Sequence, residues 1–141
     1  MLHQLLLGFT ITFVSLVGAT LVWWVLTETI MRLGPWMHES PKPPKALFSI
    51  FIVVLSTMGI MSFGISLWAI LFMENEIFAT WEEAVYYALV AYTTLGLGDV
   101  AVPIHQRLLG GLIGANGFLM FGMMTAMLTD TLRLIRRMQN D

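Results

Sequence analysis

The sequence lacks cysteine altogether and is poor in charged side chains. Without cysteine, the chain can form neither disulfides nor thiolate metal sites. Charged residues make up 11% of the 141 residues, far below the ~25% of a soluble domain, whereas 57% of the residues are hydrophobic. The net charge of −2 and the absence of a long basic run give no indication of nucleic-acid binding. This composition predicts a membrane protein that lies in a lipid bilayer.

Charge is completely missing from three long stretches, which are residues 1–27, 46–73 and 108–129. Each of them exceeds the ~20 residues that a helix needs to cross a bilayer, so we expect three transmembrane helices. A further apolar run at residues 81–92 is too short to cross, and it predicts a re-entrant helix. Thr80 and Glu83 have the spacing of a capping box, which predicts that this short helix begins after Thr80.

The chain divides into three parts. We expect an N-terminal transmembrane helix in residues 1–34, a linker in residues 35–45 and one further domain in residues 46–141. Ser15 and Ala19 give the first helix a small-residue face for packing against other helices. We interpret the linker as stiff and non-helical because it is rich in proline. In the last domain we expect an outer helix, a short helix, an extended segment and an inner helix, at residues 46–73, 80–92, 93–99 and 105–138.

Basic residues indicate how the helices are oriented. Arg32, Lys42 and Lys45 lie between the first two spans, and three arginines follow the last span. By the positive-inside rule, this loop and the C-terminus are cytoplasmic, and the N-terminus lies outside. We expect a multi-pass protein of a plasma membrane, and the compactness of the chain favours a bacterial inner membrane.

The most informative stretch is the glycine-punctuated segment at residues 93–99, which directly follows the short helix. Successive backbone carbonyls face the same side of a chain if every second residue adopts a left-handed conformation, which glycine reaches without strain. Gly96 and Gly98 have this spacing. Rings of such carbonyls can replace the hydration shell of a monovalent cation. The segment therefore predicts an ion-selectivity filter.

Residues 94–99, TLGLGD, resemble the TVGYGD filter of the two-transmembrane potassium-channel pore module. The resemblance extends to the aromatic pair Tyr86 and Tyr87 and to residues 116–126, which are similar to the inner helix of that family. It covers roughly residues 47–138. It implies an all-α membrane protein in which three transmembrane helices, a re-entrant pore helix and an extended filter form a homotetramer around a central pore.

The same resemblance implies passive permeation of K⁺, with K⁺ as the permeant ion and no organic cofactor. The sequence shows no grouping of residues typical of a catalytic site, so we do not expect an enzyme. The filter would bind ions through Thr94, Leu95, Gly96, Leu97 and Gly98, with K⁺ at the first four of these. Filter support would come from Tyr87, Thr93 and Asp99. The pore and its gate would involve Gly117 as a hinge, together with Phe118, Phe121, Thr125, Thr129 and Asp130.

Three residues depart from the pattern of that family. Leu97 replaces the filter tyrosine, so no hydroxyl ties the filter to Tyr87, and Leu95 replaces the usual valine. Val90 stands where many members carry a glutamate that pairs with the aspartate after the filter, so we expect Asp99 to lack that partner. A nonselective or Na⁺-conducting channel of the same architecture is therefore an alternative.

The first helix and two residues of the last helix admit more than one role. A non-conducting membrane scaffold or accessory subunit is a possibility of another class, because the first helix has no counterpart in the pore module. Gly117 can serve as a hinge or as a site of close helix contact. Asp130 can face the pore or form an intrahelical pair with Arg133. Gating by pH, lipid, tension or a regulatory partner is left open.

Overall fold

The computed structural model describes residues 1–32 and 42–140. These residues form four α-helices and no strand, and a 3₁₀ turn at Ile104–Gln106 precedes the last helix. The helices are α1 (Leu2–Arg32), α2 (Lys42–Glu74), α3 (Trp81–Tyr92) and α4 (Arg107–Asn140). Three of them, α1, α2 and α4, are long and apolar enough to cross a membrane. The expected all-α membrane fold, with three spanning helices and one short helix, is confirmed.

The linker departs from its expected conformation at its C-terminal end. Pro43 and Pro44 were expected to be non-helical, but α2 begins at Lys42 and includes both prolines. The first four N–H groups of a helix have no partner within the helix, so proline in the first turn removes no hydrogen bond. The remainder of the linker, residues 35–41, lies outside the described residues, as do residues 33–34 of the predicted first helix.

Helix α1 packs along α4 and α2 through one narrow face. The buried residues of α1 recur at intervals of seven and four, which is one side of a helix: Gly8, Ser15, Ala19, Leu26 and Ile30. The Cα of Gly8 faces Leu112 of α4, and that of Gly18 faces Phe63 of α2. The small-residue packing face predicted at Ser15 and Ala19 is confirmed, since the two residues are 0% and 1% exposed.

Two apolar clusters show the direction of the helices. The smaller cluster, formed by Leu26, Ile30, Val53 and Ile135, joins the end of α1, the start of α2 and the end of α4. Near the other end of α1, the Gln4 side chain donates a 2.6 Å hydrogen bond to the His105 carbonyl, just before α4. Helices α1 and α4 therefore run parallel, and α2 runs antiparallel to both.

The larger cluster surrounds α3 and fixes its position between α2 and α4. Its aromatic members make edge and tilted contacts, with ring centroids 5.8 Å apart for Trp68 and Phe72 and 5.4 Å apart for Phe72 and Tyr87. Tyr92, the last residue of α3, is fully buried, and its hydroxyl lies against Gly64 of α2. This packing holds the C-terminal end of α3, and with it the start of residues 93–99.

Candidate ion-conduction site

Helix α3 begins where the sequence predicts. Thr80 is extended, with φ −130° and ψ 152°, and its side-chain oxygen accepts a 3.2 Å hydrogen bond from the Glu83 backbone N–H. This contact satisfies one of the free donors at the helix N-terminus. Glu82 and Glu83 lie in the first turn, where the helix dipole favours negative charge. The predicted N-cap at Thr80 is confirmed.

At its C-terminal end, α3 passes directly into the glycine-punctuated segment. The backbone N–H groups of Leu95 and Gly96 both donate to the Val90 carbonyl, at 3.0 and 3.3 Å. Thr93 donates its N–H and its hydroxyl to the Leu89 carbonyl. These bonds satisfy carbonyls that a helix end leaves without partners. They turn the chain back sharply, so the segment starts beside the last turn of α3.

The backbone of the segment alternates in handedness. Thr94, Gly96 and Gly98 have φ values of 59°, 59° and 78°, so every second residue is left-handed. The expectation for Gly96 and Gly98 is confirmed, whereas the positive φ of Thr94 was missed. Extending the two-residue spacing of Gly96 and Gly98 back along the chain would have predicted it. However, a β-branched residue such as threonine seldom adopts this conformation.

Glycine is favoured at positions 96 and 98 by conformation rather than by space. A Cβ added to Gly96 or Gly98 would meet no atom within 4 Å. The neighbouring side chains are also open to their surroundings, since Leu95 is 63% and Leu97 58% exposed. The segment therefore has no packed apolar cover within the single chain on the side of these two leucines.

A cavity of about 430 Å³ separates the segment from the first turns of α4. Its wall combines the segment, α3 and α4, and includes Thr94, Gly96, Gly98, Tyr87, Arg107, Gly110 and Gly114. Tyr87 is held there by Phe72 and Phe78, and its hydroxyl lies against Gly110. Tyr87 and the segment therefore line the same cavity. The prediction that Tyr87 supports the segment is not tested by this contact.

Asp99 has a partner that the sequence did not reveal. The Tyr86 hydroxyl donates a 2.5 Å hydrogen bond to Asp99 Oδ2. This bond lowers the pKa of the Asp99 carboxyl and raises the pKa of the Tyr86 phenol. Asp99 lacks the glutamate partner, as expected from Val90, and the Tyr86 hydroxyl is bonded to it instead. The aromatic pair at residues 86–87 was the available signal.

One face of α4 presents the predicted pore residues. Phe118, Phe121, Thr125 and Thr129 are all exposed in the single chain, and their spacing places them within one sector of the helix. The two threonine hydroxyls bond to the Phe121 and Thr125 carbonyls, each at 2.8 Å. Their polarity is thus satisfied inside a membrane-spanning helix, and the face can border either water or another chain.

Asp130 stands apart from that face. It is exposed, but it follows Thr129 by one residue and so lies about 100° further round the helix. The proposed pair with Arg133 is not formed, since the ion pair found among the described residues joins Arg32 to Glu28 at 2.9 Å. Whether Asp130 faces a pore stays a prediction.

Helix α4 approaches α3 very closely at Gly117. A Cβ at this position would overlap the Tyr92 carbonyl and lie 2.6 Å from its carbon atom. Helix α4 continues without interruption through Gly117. The contact role of this glycine is therefore observed, and its role as a hinge stays a prediction.

These features define the class of the protein. Three membrane-spanning helices, a short helix between the second and third, and a left-handed glycine segment after it are the parts of an ion-conducting pore. A family model described as an ion channel matches residues 47–134, and the chain belongs to this ion-channel family. Membership of an ion-channel family indicates a protein that carries ions across a membrane. No curated protein and no solved structure gives a significant match to the chain.

The family match covers the structural elements unequally. It begins within α2, contains all of α3 and residues 93–99, and ends within α4. Helix α1 lies outside the matched region. The family match therefore does not account for the contacts of α1 with α2 and α4.

Proposed function

We propose that the chain forms a potassium-selective channel in which K⁺ crosses a plasma membrane passively through residues 93–99. The observation that carries this proposal is the alternating left-handed backbone of Thr94, Gly96 and Gly98. Alternation of this kind turns successive carbonyls toward one side of the chain, and rings of carbonyls replace the water around a K⁺ ion.

In this proposal the ions rest between oxygens of Thr94, Leu95, Gly96 and Leu97, and Gly98 closes the outer end. Thr94 adds its hydroxyl at the inner end. The C-terminal end of α3 carries partial negative charge, which favours a cation in the cavity below the filter. Thr93 and Asp99 support the two ends of the segment through their bonds to α3.

Assembly of four copies around one axis is part of the proposal. A single chain supplies a single segment, and a ring of carbonyls needs several copies in closed symmetry. Leu95 and Leu97 are exposed in the single chain, and neighbouring copies would cover them. The exposed face of α4 would then line the pore, where the rings of Phe118 and Phe121 could gate it by excluding water.

The membrane orientation follows from the same architecture. Because α1 and α4 are parallel, Arg32 and the arginines near the end of α4 lie at the same end of the helices. A basic end of this kind faces the cytoplasm. We propose that the N-terminus and the filter face outward in a bacterial inner membrane.

Replacing Gly96 by Ala tests the proposal. Alanine resists the left-handed conformation, so we expect Gly96→Ala to abolish most K⁺ flux into liposomes while the protein still assembles. Gly59→Ala is the matched control, because a Cβ at Gly59 in the middle of α2 meets no atom within 4 Å. Wild-type flux in Gly96→Ala would contradict the role of the segment.

A nonselective or Na⁺-conducting channel is the second candidate. It is favoured by Leu97, whose exposed side chain has no polar atom that could anchor the filter. The reversal potential in mixed K⁺ and Na⁺ solutions separates the two, since only a K⁺-selective pore shifts it toward the K⁺ equilibrium potential. Complete absence of flux in the wild-type protein would instead indicate a scaffold or accessory subunit.

A further inference from the structure

A buried polar contact joins α1 to α4 near the middle of α1. Ser15 Oγ lies 3.1 Å from Asn116 Oδ1, and both residues are 0% exposed. Ser15 is close to the midpoint of Leu2–Arg32, so the contact lies deep in the span. Polar side chains at that depth join helices because lipid offers them no alternative partner.

The Asn116 amide depends on this single contact. The single hydroxyl proton of Ser15 is shared between Asn116 Oδ1 and the Thr12 carbonyl, which lies 2.9 Å from Ser15 Oγ, so the hydroxyl keeps a partner within its own helix when Asn116 is removed. Asn116 Nδ2 is buried and has no hydrogen-bond partner among the described residues. Removal of Ser15 would leave the whole amide unsatisfied, whereas removal of Asn116 would leave no polar atom of Ser15 without a bond.

Asn116 lies directly beside the place where α4 supports the end of α3. The Tyr92 carbonyl packs against the Cα of the next residue, Gly117, in space that a side chain would otherwise occupy. Tyr92 ends α3, and the chain enters the left-handed segment two residues later, at Thr94. A rotation of α4 that broke the contact between Ser15 and Asn116 would also move Gly117 away from Tyr92.

Two further contacts fix α1 in the same register on α4. Gly8 lies against Leu112, one helical turn before Asn116, and a side chain at Gly8 would overlap it. Gln4 bonds to the His105 carbonyl just before α4 begins. Together these contacts set both the depth and the rotation of α4 against α1.

We infer that Ser15 and Asn116 are positioning residues of the filter, through which α1 holds α4 where Gly117 supports the end of α3. The inference rests on the proposed function and gives α1, which lies outside the channel-family match, a role in ion selection. The contact acts through Gly117 and Tyr92 and touches no ion.

Single-channel recording of Ser15→Ala, Asn116→Ala and the double variant tests the inference. Permeability ratio and open probability are measured because neither depends on the number of folded channels. We expect Ser15→Ala to lower the K⁺/Na⁺ permeability ratio by about threefold, the factor that corresponds to one interhelical hydrogen bond in a membrane. The double variant should be closer to wild type than Ser15→Ala, because it carries no unsatisfied amide.

Thr20→Ala is the matched control on α1. Thr20 is exposed, and its hydroxyl bonds to the Leu16 carbonyl of its own helix at 2.9 Å. A Ser15→Ala channel with the permeability ratio and open probability of Thr20→Ala would overturn the inference and leave the proposed function intact. Simple addition of the two single effects in the double variant would also overturn it. A wild-type protein without K⁺ preference would refute the proposed function and this inference with it.

Discussion

At the scale of single residues, the Asp99 end of the proposed filter depends on a phenol and a carboxylate. Tyr86 and Asp99 are 13 residues apart, and the short hydrogen bond between them closes the loop that contains the left-handed segment. The strong, charge-assisted form of the bond requires a protonated Tyr86 and an ionised Asp99. It is therefore present between the lowered pKa of Asp99 and the raised pKa of Tyr86.

We expect acid in the outer solution to weaken the proposed filter by protonating Asp99. Because the folded pKa of Asp99 is lowered, the stabilisation is complete above the ordinary pKa of an aspartate and is lost as the pH falls through the lowered value. Tyr86→Phe removes the main cause of the shift, so its K⁺ flux should be lost at a higher pH than that of the wild type. Flux titrations on liposomes measure the midpoint.

Tyr87→Phe serves as the control for this titration. It removes a neighbouring hydroxyl that faces Gly110 and makes no hydrogen bond to Asp99. Its acid midpoint should match that of the wild type. Equal midpoints in Tyr86→Phe and Tyr87→Phe would show that the bond to Asp99 does not set the acid response of the filter.

At the scale of elements, α4 is the helix whose faces have separate tasks. One side packs against α1 through Asn116 and against α3 through Gly117. The opposite sector carries Phe118, Thr125 and Thr129, all exposed. Asp130 lies between these two sides of α4. Whether its side chain reaches the proposed pore therefore depends on how α4 is rotated about its axis.

The absence of native cysteine makes this rotation measurable, since each introduced thiol is unique. We expect a charged thiol reagent to block most of the K⁺ flux of Thr125→Cys and Thr129→Cys, because the proposed pore face exposes both to water. Asp130→Cys should lose much less flux. Faster block at Asp130→Cys than at Thr129→Cys would mean that α4 is rotated so that the acidic residue faces the pore.

The positions of the helices were largely predictable from the sequence, whereas the contacts between them were not. Charge-free stretches predicted the three spans, and the cap at Thr80 placed the start of α3 correctly because these signals are local. The helical conformation of Pro43 and Pro44 was missed because proline is tolerated in a first helical turn, whose start no local signal marked. The contacts of Ser15 with Asn116 and of Gly117 with Tyr92 join residues far apart in the chain, so no periodicity could reveal them.

At the scale of the whole molecule, a single chain leaves apolar surface beside the proposed conduction path. Val85 and Leu89 of α3 are 44% and 46% exposed, one helical turn apart, and Leu95 and Leu97 are exposed in the adjoining segment. Water in a pore would make this surface unfavourable. Helix α1 also exposes apolar side chains, but those suit contact with lipid.

These two kinds of surface should respond differently to the loss of side-chain volume. We expect the double variant Val85→Ala and Leu89→Ala to shift the protein from the proposed tetramer to smaller species in native mass spectrometry, because each truncation removes on the order of 1 kcal/mol of packing between copies. The double variant Leu21→Ala and Val25→Ala is matched in residue type and spacing. Those α1 residues are 57% and 56% exposed, and lipid tails can occupy the space that truncation leaves. Tetramers that survive truncation of α3 would show that this surface is not the interface between copies, and dissociation after truncation of α1 would place the interface on α1 instead.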